Sequence, residues 1–434
     1  MKQIHVILSV FLLCFYIQVS AQNPILNSYK LGEGITFSDK EKSSITLSGF
    51  IQPFMEIRSY NADSALDSYT RFRMRRLRFR IAGDLPKYKI SYRFQADLSG
   101  TPEVGDSTGN SLFDAWVAYT PISNVEIKFG QSSNFTENRE ILMSSNSLQL
   151  VERSRLTSAF AVPREVGLFI STDFKIGNSF FVEPNFSITN GDGGNVMGND
   201  FGGFKYGARI DFTPFGKFVN LGKFRQGDHV RELTPKLIFG VNFSYIDGVS
   251  SRRGEASGTI LYLNRNMETS LPNYRKMGAD FLFKYQGFSL LGEFMNGHAS
   301  VPNDIVFRVR ENGTITNSFD IEGRQDMPNY IRNRMIIGSV YNIQGGYNFK
   351  RKFSIDARFT HFDAAQYSFL NNNTIYNRPN YYTIGITKFF SRNHGLKIQA
   401  AHTMVKAGSG ALDIKGNAIK QYENITHVMA TYSF

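Results

Sequence analysis

The sequence predicts an all-β chain: a transmembrane antiparallel β-barrel of about sixteen strands with an inward-folded third loop. Three observations carry this. The chain opens on a short apolar leader, ends on an amphipathic strand with a terminal aromatic, and between them repeats ten-residue segments of alternating character, with no apolar run of the ~18 residues a membrane helix needs.

Met1 to His5 carry one positive charge, on Lys2, and lead into Val6–Val19, an apolar stretch broken by Ser9, Cys14 and Gln18. It ends on Val19-Ser20-Ala21, where a signal peptidase reads small residues, so residues 1–21 are expected to be a signal peptide cleaved near Ala21. An uncleaved anchor would need a longer run, about 20 apolar residues. Cys14 is the only cysteine and would leave with the leader, while a lipid-modified cysteine would want small residues where Leu12 and Leu13 stand. The mature chain can then form neither a disulfide nor a thiolate metal site, and no cofactor is expected.

Residues 22–44 read as an N-terminal periplasmic segment and 45–434 as the barrel, in the outer membrane of a Gram-negative cell and surrounded by its lipid. The expected strands are 45–60, 71–83, 88–99, 112–120, 124–131, 165–175, 180–190, 204–213, 235–247, 274–285, 288–298, 333–349, 352–364, 381–391, 395–406 and 422–434. Tight connections, such as Gly83 to Lys87, Gln286-Gly287 and Lys350 to Lys352, alternate with long polar ones, such as Ile246 to Asn273, Gly297 to Arg332 and Ala365 to Asn380. A membrane barrel requires that asymmetry, with short turns on the periplasmic side, and an even strand count returns both ends to the periplasm. Pro214 to Thr234 breaks the rule: it stands where a short turn belongs yet carries Lys217, Lys223, Arg225, Asp228, His229 and Arg231. It reads as a periplasmic excursion or a miscounted strand. No linker composition divides the chain.

Alternation sorts the strand faces. In the third strand Ile90, Tyr92, Phe94, Ala96 and Leu98 oppose Lys89, Ser91, Arg93, Gln95 and Asp97. In the last, Val428, Ala430, Tyr432 and Phe434 oppose His427, Thr431 and Ser433. A soluble sandwich or propeller shares the period but explains neither the terminal Phe434 nor the alternating loop lengths. The formal net charge is +12, and loss of Lys2 with the leader leaves +11.

The second strand holds six arginines within ten residues, Arg71, Arg73, Arg75, Arg76, Arg78 and Arg80. The first three oppose Phe72 and Met74; the last three oppose Leu77, Phe79 and Ile81, one residue out of step. A β-bulge at Arg75-Arg76 would keep all six in the lumen. The lipid face is closed to them, since one arginine at mid-bilayer costs ~2–4 kcal/mol. With Arg93, they form either an anion pathway along the wall or pairs with acids such as Asp84, Asp97 or Asp114 that hold the sheet in register. A nucleic-acid partner is set aside: an exported chain meets little, and the face is too narrow for a groove.

Ser132 to Arg164 mixes Leu142, Met143, Leu148, Leu150, Val151, Leu156, Phe160 and Val162, which need burial, with Arg139, Glu140, Glu152, Arg153, Arg155 and Arg164. That mixture suits a plug folded into the lumen, with Arg139, Arg153, Arg155 and Arg164 as its constriction candidates; an extracellular cap is the alternative.

The chain resembles the family of phosphate-selective porins O and P. The resemblance rests on the arginine strand Phe72 to Gly83, Phe113-Asp-Ala-Trp-Val-Ala-Tyr-Thr-Pro121, Phe129-Gly-Gln131, Met143-Ser-Ser-Asn, Leu150-Val-Glu-Arg-Ser154 and Arg164-Glu-Val-Gly167. Ser132 to Phe135 depart from it, where the family often has a Lys and a Pro. The resemblance implies a sixteen-stranded barrel, usually a homotrimer, passing inorganic anions such as phosphate along a basic channel. Catalysis is not expected. His361, His394, His402 and His427 are the histidines a hydrolase would use, and Phe359 to Asp363 sets His361 and Asp363 on one face, but no nucleophile elbow or metal-spaced pair accompanies them. Loops 247–273 and 298–332 carry Arg and Asn residues suited to a surface-binding role.

Overall fold

The computed structural model describes residues 25–60, 66–103, 111–191, 193, 201–250, 260–310, 312–350, 352–391 and 393–434; the expected leader, 1–21, lies outside them. Sixteen antiparallel strands form the barrel: β1 Ser44–Tyr60, β2 Tyr69–Leu85, β3 Ile90–Asp97, β4 Leu112–Ile122, β5 Val125–Ser132, β6 Glu165–Thr172 continued by Phe174–Ile176, β7 Phe180–Thr189, β8 Lys205–Thr213, β9 Lys236–Ile246, β10 Asn273–Tyr285, β11 Phe288–Ser300, β12 Gly338–Phe349, β13 Phe353–Ala364, β14 Asn380–Phe389, β15 Leu396–Lys406 and β16 Tyr422–Ser433. Each pairs with its chain neighbours, and β16 closes on β1 with Glu423 opposite Tyr60 and Tyr432 opposite Ile51. Closure leaves no open edge in lipid, where an unpaired backbone group costs several kcal/mol.

Side chains alternate as the pattern requires. On β9, Phe239, Val241 and Phe243 face lipid while Ile238, Gly240, Asn242 and Ser244 face in. Across β1 and β2 the register slips between Gln52 and Pro53: Gln52 faces Arg76 and Pro53 faces Met74, so Arg75 is the extra residue of the expected bulge.

Two elements differ from the sequence reading. The strand expected at 333–349 starts at Gly338, because Met327–Arg332 forms a helix capped by the Asp326 carboxylate, which accepts from the Asn329 amide. Residues 25–38, outside the sheet in that reading, form a hairpin, Ile25–Lys30 with Gly34–Ser38, whose second arm pairs with Ser44–Leu47 of β1. It takes up the β1 backbone groups that β16 leaves unpaired where the chain ends at Phe434.

Four segments occupy or cover the lumen. Loop L3, residues 133–164, lies inside it and carries two short helices, α1 Arg139–Leu142 and α2 Arg155–Phe160. Met143, Leu148, Leu150, Val151, Leu156, Phe160 and Val162 are all buried, as their apolar character demanded. From its root between β5 and β6, L3 crosses the barrel: Lys397 and Gln399 of β15 donate to the Leu148 carbonyl at 2.9 and 3.1 Å. Above β9–β12, the described parts of the loops joining β9 to β10 and β11 to β12 form a cap in which Leu261–Leu263 pairs with Phe307–Val309 over a core of Ile246, Tyr262, Phe319, Ile331 and Met335. From the other end, the connection 214–235 between β8 and β9 folds back into the barrel.

Candidate functional site

The arginine strand delivers its side chains to the lumen with unequal fates. Arg76 and Arg78, fully and almost fully buried, donate to one Glu103 oxygen at 2.8 and 2.7 Å, and Arg153 of L3 donates to the other at 2.7 Å. Arg78 also takes Asp97 at 2.8 Å, and Arg75 pairs with Glu152 of L3. Phe113 is sandwiched between the guanidinium carbons of Arg78 and Arg164, 3.6 and 3.8 Å from its centroid, and Arg164 is held by Asp114 at 2.6 Å. Of the three acids the sequence suggested, Asp97 and Asp114 hold arginines, whereas Asp84 takes none among the described residues. The other four strand residues are more open. Arg71 stacks on Tyr69, Arg73 reaches Glu56 only at 3.7 Å, Arg80 donates to the Ser48 hydroxyl at 3.0 Å, and Arg93 lies over Trp116 at 5.1 Å.

Charge density explains the cluster. Burial would raise the Glu103 carboxyl, but Arg76, Arg78 and Arg153 hold it well below the ordinary range. Burial likewise opposes ionisation of Glu152, yet Arg75 and Arg76 bring it down to about 2.

L3 is fastened on the far side by Arg139, 2% exposed, which donates to Asp280 of β10 at 2.7 Å and Asp211 of β8 at 2.6 Å. Arg209 completes that quartet, and Glu137 is clamped between Lys205 and Lys276. Of the four constriction candidates, Arg139, Arg153 and Arg164 are therefore bound in ion pairs that anchor the loop. Arg153 and Arg155 both line open space, and Arg155 is stacked on Tyr376 at 4.5 Å.

The connection 214–235 meets L3 from below. Gln226 donates to Glu140 at 2.6 Å and accepts from the Gln149 amide at 2.8 Å and from Gln344 at 3.1 Å. Its base is held by Asp228, which accepts from the Gly287 amide at 2.6 Å, and by Lys284, which donates to the carbonyls of Gly222 and Gly227. The excursion is thus real and no strand was miscounted. It fills the β8–β12 side of the lumen from the periplasmic end.

A family model described as phosphate-selective porin O and P matches residues 53–313. The chain belongs to that family. Among curated proteins none matches it. The porin's fold resembles an anion-selective porin from Comamonas acidovorans, with a TM-score of 0.50 at 10% identity over 90% of this chain and 100% of that one. It also resembles the in-vitro folded trimer form of OmpT, an outer-membrane protein of Vibrio cholerae, at 0.50 and 8% over 90% and 99%. OprB of Pseudomonas putida, in its high-pH structure, gives 0.51 at 11% over 90% and 94%. At such identities the likeness is one of fold.

A cavity of about 830 Å³ forms an outer vestibule between L3 and the walls of β13–β16, β1 and β2. Arg58, Arg73, Arg75, Arg153, Arg155, Arg358 and Arg378 line it, with Glu56, Glu103, Glu152, Asp413 and Glu423. Toward the periplasm from L3, the β3–β5 wall sets Arg93 and Lys128 over Trp116 at 5.1 and 4.8 Å.

Sequence reasoning missed Arg58, Arg358 and Arg378. A signal existed for the first two: a lone arginine inside a strand must face water, and Arg58 continues the lumen register of Gln52, Phe54 and Glu56. Nothing local marks Arg378 or Glu103, which reach their partners from loops. The four histidines lie apart. His361 and His402 face outward on β13 and β15, hydrogen-bonded to Asn380 and Thr426; His427 pairs with Glu56 inside, and His394 stacks near His229 at the periplasmic end.

Proposed function

We propose that this outer-membrane porin is a water-filled, anion-preferring diffusion channel that admits phosphate. The observation that carries the reading is the vestibule, where seven arginines face five carboxylates in one cavity. Guanidiniums in such a recess raise the local anion concentration and offer forked donors to phosphate or carboxylate oxygens. Arg80 and Arg93 continue the positive wall beyond L3, with no carboxylate in salt-bridge reach among the described residues. The test is planar-bilayer conductance under a salt gradient. An anion-favouring reversal potential with chloride current blocked by low phosphate supports a phosphate channel; anion preference without block supports a general anion porin. A cation-favouring potential refutes the reading.

One observation favours a non-selective porin as the second reading: Arg75, Arg76, Arg78 and Arg153 are neutralised by Glu103, Glu152 and Asp97. A reversal potential near zero would select it. The reading also takes the channel as a homotrimer, testable by native mass, and takes the leader as removed near Ala21, testable by a mature mass starting at Gln22.

A further inference from the structure

We infer that the outer vestibule binds organic acids, a carboxylate carried on an apolar body about one ring in size. This rests on the anion reading above and narrows its substrate.

The vestibule has two chemically different walls. Arg73, whose side chain is 42% exposed, faces the cavity from β2, and Arg155 faces it from L3. Arg155 is pre-set: its guanidinium stacks on Tyr376 and donates to the Ile375 carbonyl at 3.1 Å, so the fork is held in place before an anion arrives. Ile375, Tyr381 and Ile425, all partly exposed, line the same space, over a floor of Phe54 and Leu150. Elsewhere the apolar residues of the lumen face, such as Ile238, Leu282 and Leu291, are covered by Met143 of L3, whereas Ile375, Tyr381 and Ile425 keep surface toward the cavity. An inorganic ion gains nothing from an apolar wall. An apolar body laid against it removes both surfaces from water while its carboxylate meets the guanidiniums. The volume, about 830 Å³, falls within the ~300–1,000 Å³ of small-ligand sites.

The experiment compares two acids with the same head group. Chloride current through the native porin in planar bilayers is titrated with acetate, with phenylacetate and with inorganic phosphate, after the reversal potential is recorded. Phenylacetate is expected to block at about tenfold lower concentration than acetate, the ratio a partly buried ring supplies. Ile375→Thr with Ile425→Thr should bring that ratio toward one. Equal block by the two acids with an anion-favouring potential overturns the organic-acid inference and leaves the anion channel standing. A tenfold ratio that survives both substitutions moves the site elsewhere and overturns it too. A cation-favouring potential removes the anion reading and this inference with it.

Discussion

Gln226, on the periplasmic connection between β8 and β9, donates to Glu140 of L3 at 2.6 Å, joining two segments that enter the barrel from opposite ends. Glu140 is fully buried and also receives the amide and hydroxyl of Ser154 and the hydroxyl of Thr157. The junction makes the connection part of the pore wall.

Removing it should open the channel. Replacing residues 217–231 by a short turn is expected to raise single-channel conductance and current noise in bilayers. Gln226→Ala should do so more weakly, by withdrawing one donor from a buried carboxylate at a cost of ~1–3 kcal/mol. Unchanged conductance and noise in the shortened porin would refute the role of the connection.

Glu103→Gln should loosen the network that holds L3 to β2. It leaves Arg76, Arg78 and Arg153 without their shared counter-charge, and breaking a buried ion cluster in this way costs ~3–5 kcal/mol. A clearly lower temperature of the folded-to-unfolded band shift in gels is expected.

The same cluster sets an acid limit. Glu103 and Glu152 are held below the ordinary carboxylate range, so their stabilisation is complete above the unfolded value of ~4.3 and is lost as pH falls through the folded values. Their contribution to the band-shift temperature should be unchanged from pH 7 to about 5 and lost between about pH 4 and 2, where Glu152 takes up its proton, and Glu152→Gln should flatten that acid fall.

Selectivity and stability should separate along one strand. Arg80→Gln with Arg93→Gln is expected to move the reversal potential toward zero with little change in the band-shift temperature, since neither residue is in an ion pair with a described carboxylate. Arg78→Gln should do the opposite, because it takes the arginine from Asp97 and one of three guanidiniums from Glu103.

Deleting Arg75 removes the bulge. Met74 and Arg76 then follow in strict alternation, so Arg71, Arg73, Arg76, Arg78 and Arg80 keep the lumen face; one residue inserted between Leu77 and Arg78 would instead turn Arg78 and Arg80 into lipid, at ~2–4 kcal/mol each near the midplane. The Arg75 deletion, like Arg75→Ala, should still reach outer-membrane fractions, whereas an alanine inserted between Leu77 and Arg78 is expected to be lost from them.

Much of this was legible in the residue order. Strand number, the faces of β3 and β16, the bulge and the burial of L3 follow from a period of two and from the cost of charge in lipid, both of which act over a few residues. The hairpin at 25–38 escaped notice because its role depends on where β16 ends, a fact of barrel closure rather than of its own composition.

The sequence by itself thus determined the barrel and the placing of the arginines on the water side. Only the tertiary structure decided which arginines are spent in pairs, which remain open, and how residues 214–235 reach L3. The reason is separation along the chain. Gln149 meets Asp356 across 207 residues and Gln226 across 77, and Glu103 gathers three arginines from two elements. Alternation assigns each side chain to lipid or lumen, but which charges meet inside the lumen depends on closure of the whole sheet and on how its loops fold back into it.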